Sequence, residues 1–264
     1  MKAQKKVGEI TLRTCHVVDE FRQALDLQRR VWNFSDIEMV PIRLFVVGEK
    51  IGGHVLGAFD GDRMVGFAYG LPGIRGRHSY IHSHMLAVEA EYRNLGLGRA
   101  LKIFQREIAL AQNIDLIEWT FDPLEIKNAH LNIERLGAIA RRYNVNQYGI
   151  TSSPLQGGLP SDRFVAEWWL RSKRVETALS TGVREPIATT QAVDVPVEIS
   201  AWKASATEKH LAADVQRRNR ETFQRAFTDG LAVLGYQRDA KGNGRFLLAR
   251  WDEGWGYGEE EREG

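Results

Sequence analysis

Residues His82 to Leu101 read HSHMLAVEAEYRNLGLGRAL. An apolar strand delivers the chain to a polar, glycine-punctuated turn, and the turn feeds a helix. The first N–H groups of any helix lack intrahelical partners and stand at the positive end of its dipole. Gly96 and Gly98 let the backbone approach a phosphate with no Cβ in the way. Arg93 and Arg99 flank them with permanent positive charge. Together these residues make a pyrophosphate cradle.

Upstream, residues 8–15 alternate as a half-buried strand, and residues 18–33 place Phe21, Leu25, Gln28 and Trp32 on one helical face. A second helix covers about 41–50, entered through Pro41. His54 to Phe59 and Met64 to Tyr69 are apolar runs around Asp60-Gly61-Asp62-Arg63, a hairpin signal. Gly70 to His78 is rich in turn residues, and Ser79 to Val88 is the next strand. Downstream, Leu97, Leu101, Phe104, Ile108 and Ala111 form a helical face. Leu116 to Phe121 is a strand ended by Asp122-Pro123; helix resumes near 124–136, and strands follow at 138–146 and 163–170.

The order β-α-α-β-β-β-α-β-α-β-β predicts an α/β (α+β) fold, a mixed central sheet with helices on its faces. Residues 8–170 form this domain, and 171–200 read as a linker region around Pro186 and Pro196. Residues 201–256 read as a small C-terminal αββ extension. A capping box, Ser205 to Glu208, opens its helix, and Leu231 to Gln237 and Phe246 to Trp251 form its hairpin. The extension is either an appendage or a continuation of the main sheet. Residues 257–264 read as a disordered acidic tail.

The chain has 264 residues, 43% hydrophobic and 27% charged, with a net charge of +2. The tail holds four Glu and one Arg, which leaves the rest at +5. That is mildly basic, enough to favour an anionic ligand and too balanced for bulk binding to nucleic acid. A single cysteine, Cys15, points to a reducing compartment and a buried, inert thiol. No apolar leader or membrane-length apolar run occurs, so the expectation is a soluble, cytoplasmic protein with no membrane partner.

Three nucleotide readings compete for the cradle. A Walker loop needs G-x-x-x-x-G-K-[ST], which is absent. A dinucleotide fold needs G-x-G-x-x-G, but Leu101 stands at the third glycine, although Glu118 falls where a ribose-binding acid would sit. The third reading fits the whole string. Val88 to Ala100 resembles the hallmark motif of the GNAT superfamily of acyl-CoA-dependent N-acyltransferases: an apolar strand ending in Val, a polar turn, then [RQ]-x-x-G-x-[GA] and a helix. Arg93, Gly96 and Gly98 match position by position. The order of elements over residues 8–170 also matches the family.

The resemblance implies that the amides of Asn94, Leu95, Gly96, Leu97, Gly98, Arg99 and Ala100 hold the CoA pyrophosphate. Met85, Leu86, Ala87 and Val88 pair through their main chain with the pantetheine arm. The acyl carbonyl points at a bulge in that strand, whose N–H is an oxyanion donor. The amine attacks the thioester directly, with no metal, covalent intermediate or redox cofactor. The co-substrate is acetyl-CoA or another acyl-CoA. The stretch W-T-F-D-P-L, Trp119 to Leu124, resembles a bacterial subgroup linked to N-acylation of amino acids, including succinylation. A small-molecule amine is therefore the expected acceptor, with acetyl the default acyl group. A second copy of the chain is the other candidate partner.

The family pattern N-x-x-A-x-x-[LF]-Y-x-K-x-G-F, aligned on Ala129 and Gly137, puts Ile126 at its Asn and Ile133 at the Tyr that protonates the departing thiolate. Asn128 and Asn132, four apart on one helical face, are candidate CoA contacts in a shifted register. Tyr143 and Tyr148 are candidate substitute acids. Their odd separation sends at most one into the cleft unless a bulge intervenes. The missing Tyr also leaves a second reading, a CoA-binding sensor or interaction module without chemistry.

His82 and His84 are two apart on a strand and face one way. Metal ligation, a substrate-facing general base and hydrogen-bonded structural histidines are the three readings, and no third metal ligand is evident nearby. Glu118 and Asp122 alternate with apolar residues, either lining the substrate cleft or on a solvated strand edge. The base ranks as Glu118 or His84, then Asp122, with His82 and Asp122 facing substrate. Of Trp168 and Trp169, one ring is expected in the core and one at an interface or cleft.

Overall fold

A computed structural model describes residues 4–150, 156–180, 187–251 and 254–256. Residues 257–264, read as the disordered tail, lie outside them. The chain divides into two compact units, one ending at Glu118 and one running from Trp119 to Gly256.

The first unit holds β1 (Gln4–Val7), β2 (Ile10–Thr14), α1 (Val18–Trp32), α2 (Ile42–Lys50), β3 (His54–Asp60), β4 (Arg63–Arg75), β5 (His78–Val88), α3 (Leu97–Ala111) and the start of β6 (Leu116–Phe121). Its strands follow one another in sequence order, antiparallel except for β5 beside β6. α1 starts where Glu20 accepts the N–H groups of His16 and Val17, at 2.8 and 3.2 Å. Asn33, left-handed at φ +52°, ends it.

Strand alternation splits the core between the two sheet faces. Met85 and Ala87 join Phe21, Phe45, Phe67 and Tyr69 under α1 and α2. Leu86 and Val88 join Leu56, Val65, Leu101 and Phe104 under α3. Cys15 is buried in the first of these clusters, and burial pushes its thiol pKa well up.

One strand is added here and one reading corrected. Residues 4–7 form a strand, joined to β2 through the left-handed Gly8; three of the four are exposed polar residues and only Val7 is half-buried, so they carry no period. Gly70 to Arg75 continue β4, pairing down to Arg75↔His78, so the turn shrinks to Gly76 and Arg77. Beyond Gly70, β4 has left β3 and, among the described residues, pairs only with β5, and a strand edge tolerates Pro72.

His54 is 2% exposed and its Nε2 lies 2.7 Å from Gln112 Oε1. Burial lowers its pKa below the ordinary 6.5. The unfolded chain therefore takes up the proton first as pH falls, and folding stability declines with it. Chemical denaturation should show less stability at pH 5.5 than at pH 7.5. A His54→Phe variant should lose less over the same interval; an identical loss would remove His54 as a source.

The second unit contains α4 (Ile126–Ala129), β7 (Ile139–Asn144), β8 (Arg163–Trp169), α5 (Lys173–Ser180), β9 (Gln191–Val195), α6 (Ile199–Ala204), α7 (Lys209–Thr228), β10 (Leu231–Arg238) and β11 (Gly244–Arg250). Its strands run β8-β7-β10-β11-β9. β10 pairs with β7 at Val233↔Ala140, so the C-terminal hairpin continues the sheet of β7 and β8. Phe223 of α7 packs edge-on against Phe164 and Phe246, at 4.6 and 5.4 Å between ring centres.

The stretch read as a linker carries α5, β9 and the start of α6. β9 buries only Val193 and Val195 and owes its form to five pairings with β11. The helix expected over 124–136 is α-helical only at Ile126–Ala129 and π-helical over His130–Arg135. Trp168 and Trp169 are both buried, against the expectation of one at a surface. Trp168 Nε1 donates to Leu136 O at 2.7 Å, and Trp169 stacks on Trp255.

Candidate active site

The chain leaves β5 through a 3₁₀ turn, Ala90–Tyr92, and the exposed residues 93–96. Asn94 and Gly96 are left-handed, at φ +65° and +80°; asparagine tolerates that conformation and glycine adopts it freely. Arg93 Nε donates to Val88 O at 3.1 Å and ties the turn back to the strand. The first α3 bond runs from Ala100 N–H to Gly96 O, 3.0 Å. The amides of Leu97, Gly98 and Arg99 precede it, at the positive end of the dipole. A Cβ on Gly98 would meet only Leu86 and Val88 side chains, at 3.8 and 4.0 Å. Packing does not demand glycine there, and a helical glycine costs up to about 1 kcal/mol relative to alanine. A bare backbone kept at that cost suits an approaching phosphate.

β5 carries the second feature. Tyr69 faces Met85 but Gly70 faces Ser83, so His84 is an extra residue, a β-bulge. On its other side β5 pairs with β6 only at Ile81↔Ile117 and His82↔Glu118. From Ser83 to Val88 no strand occupies that edge among the described residues. Such an edge is a template for a second extended chain.

The two histidines do face one way, with ring centres 6.1 Å apart. His84 also meets the edge of Tyr69 at 6.3 Å, on the α1/α2 side of the sheet. His84 is exposed, yet the surrounding protein partly desolvates it and pushes its pKa below 6.5. At pH 7 it is mostly neutral imidazole, the form a general base needs. Glu118 is 1% exposed, and its carboxylate lies 3.4 Å from Arg75 Nη2. β6 is buried over Leu116–Trp119, so Glu118 is not on a solvated edge. Arg75 was invisible as a site residue because its segment read as a turn. Among the described residues no three His, Cys, Asp or Glu side chains group as metal ligands would.

The other candidates lie in the second unit. Asp122 has both carboxylate oxygens engaged within the second unit. Its Oδ1 accepts Leu124 N–H at 2.8 Å, and its Oδ2 pairs with buried Lys203 at 2.7 Å. Asn128 and Asn132 do not share a face: Asn128 is exposed and Asn132 buried, because the helix widens into the π turn between them. Ile133, at the family's Tyr position, is fully buried.

Tyr143 donates to Asp162 Oδ2 at 2.6 Å, and the same carboxylate takes Arg220 and the Asn146 N–H. Burial and Asp162 push the phenol pKa up, and its proton is engaged by the Asp162 carboxylate. Tyr148 is exposed in the turn after β7, its hydroxyl 2.9 Å from Thr120 Oγ1. Being off the strand, it escapes the alternation argument.

Residues 18–137 match the family model described as the acetyltransferase (GNAT) family. Among solved structures, the ribosomal-protein-S5-alanine acetyltransferase of Vibrio fischeri is similar, at 13% identity and a TM-score of 0.51, over 64% of this chain and 97% of that one. This likeness shows the fold. A GNAT-family protein of Desulfovibrio desulfuricans matches at 17% identity and a TM-score of 0.49, over 61% of this chain and 99% of that one. The ribosomal-protein-S18-alanine N-acetyltransferase of Escherichia coli matches at 16% and 0.48, over 60% and 92%. No curated protein matches the chain.

Proposed function

From the match of residues 18–137 to the GNAT acetyltransferase family model, we propose that the chain transfers an acyl group from acyl-CoA to an amine by direct attack on the thioester. The observation that carries this reading is the bulge at His84 on a strand whose edge, among the described residues, is open from Ser83 to Val88, just before a turn of bare amides. Asn94 to Ala100 hold the pyrophosphate, with Arg93 and Arg99 adding charge, and the main chain of Met85 to Val88 pairs with the pantetheine arm. A bulge N–H meets the carbonyl oxygen as its charge develops.

The amine arrives mostly as ammonium and must lose a proton before attack. His84 takes it, with Glu118 second in rank. His82, beside His84, faces the acceptor. Tyr148 is the remaining candidate to protonate the thiolate. The acceptor is a small-molecule amine such as an amino acid, and the acyl group is acetyl, with succinyl the next to test. Ile133 in the core favours one second reading, a CoA-binding sensor.

Isothermal titration with CoA tests the cradle. Gly98→Val should weaken binding at least tenfold, about 1.4 kcal/mol, without unfolding the chain, since its Cβ has room. Unchanged affinity would remove the cradle.

A further inference from the structure

We infer that Lys102 and Gln105, on the buried face of α3, lock the β5 bulge in register through Ser83 and so position the main-chain N–H that receives the acyl oxygen. The inference rests on the acyl-CoA reading above. α3 turns Leu97, Leu101 and Phe104 into the core, yet Lys102 and Gln105 lie among them, 2% and 0% exposed. Lys102 Nζ donates to Ser83 Oγ at 2.8 Å, and Ser83 Oγ donates to Gln105 Oε1 at 2.8 Å. Burying an amine is costly, and burial drives the Lys102 pKa well below 10.5. Apolar side chains would fill the space without that cost.

What the polar chain adds is register. Ser83 immediately precedes the bulged His84. In an unbroken strand Ser83 would share a face with Met85, among Phe45, Phe67 and Tyr69. The bulge turns it to α3 instead. A one-residue slip would drive its hydroxyl into the aromatic face and strip Lys102 and Gln105 of this contact. β4 also yields space here: a Cβ on Gly70, opposite Ser83, would lie 2.7 Å from Ile81 Cγ2 and 2.8 Å from Gln105 Nε2. One helix thus supplies the cradle amides from its first turn and fixes the bulge from its second and third.

The test compares the affinity of the full chain for acetyl-CoA and for free CoA, together with kcat and KM. The double variant Ser83→Ala/Lys102→Met removes the hydroxyl together with the amine that donates to it, so that this bond is deleted from both sides. We expect unaltered CoA affinity, loss of any preference for acetyl-CoA, and a fall in kcat of about tenfold to 10²-fold with little change in KM. Ser83→Thr, which keeps the hydroxyl, should retain wild-type values. If the double variant does not fold, Gln105→Met carries the same comparison. A folded variant with wild-type preference and kcat overturns the positioning role alone. A wild-type chain that binds neither CoA nor acetyl-CoA overturns the acyl-CoA reading, and this inference with it.

Discussion

Replacing His84 with alanine is expected to lower turnover about 10²–10⁴-fold while CoA affinity stays at the wild-type level. The size follows from removing a positioned general base, and the selectivity from its place on the bulge rather than in the cradle turn. Desolvation keeps the pKa of His84 below 6.5, so the working, deprotonated form persists down to that region. The acid limb of kcat/KM should fall away below about pH 6.5 and disappear in His84→Ala. Glu118→Gln should cost less, because the Glu118 carboxylate is buried beside Arg75. A near-wild-type rate in His84→Ala, with a large loss in Glu118→Gln, would move the role to Glu118.

Lys203→Met is expected to destabilise the fold by about 3–5 kcal/mol, the usual cost of breaking a buried ion pair from one side. Lys203 Nζ lies 2.7 Å from Asp122 and 2.9 Å from Glu125, with its side chain 3% exposed. Burial alone would lower its pKa, but the two carboxylates outweigh burial and hold it above 10.5. The variant leaves both acids without their cation. Urea denaturation reads the loss directly, and wild-type stability would show that Asp122 and Glu125 find other compensation. Asp122 is thus accounted for as a structural anchor.

What the sequence displays well is local. The cradle is written in consecutive residues, Arg93 to Ala100, and the helix after it in its own apolar spacing. The bulge at His84 is a relation between two strands, and no pattern within His78 to Val88 reveals it. The same holds for Tyr143, whose phenol is committed to Asp162 and Arg220 only once β8 and α7 pack beside it. Glu118 and Asp122 alternate with apolar residues as on a half-exposed strand, because alternation cannot distinguish a solvated carboxylate from one paired in the interior. Asn128 and Asn132 have α-helical spacing, and the π turn that separates them leaves no compositional mark. β9 escaped because two valines, Val193 and Val195, are too few to set a period.

Release of free thiol from acetyl-CoA and succinyl-CoA across a panel of amines, amino acids included, tests acyl transfer most directly. Amine-dependent release, saturable in both substrates and reduced in His84→Ala, is the predicted result. CoA binding without amine-dependent thiol release from any combination would contradict transfer and leave a CoA-binding sensor in its place.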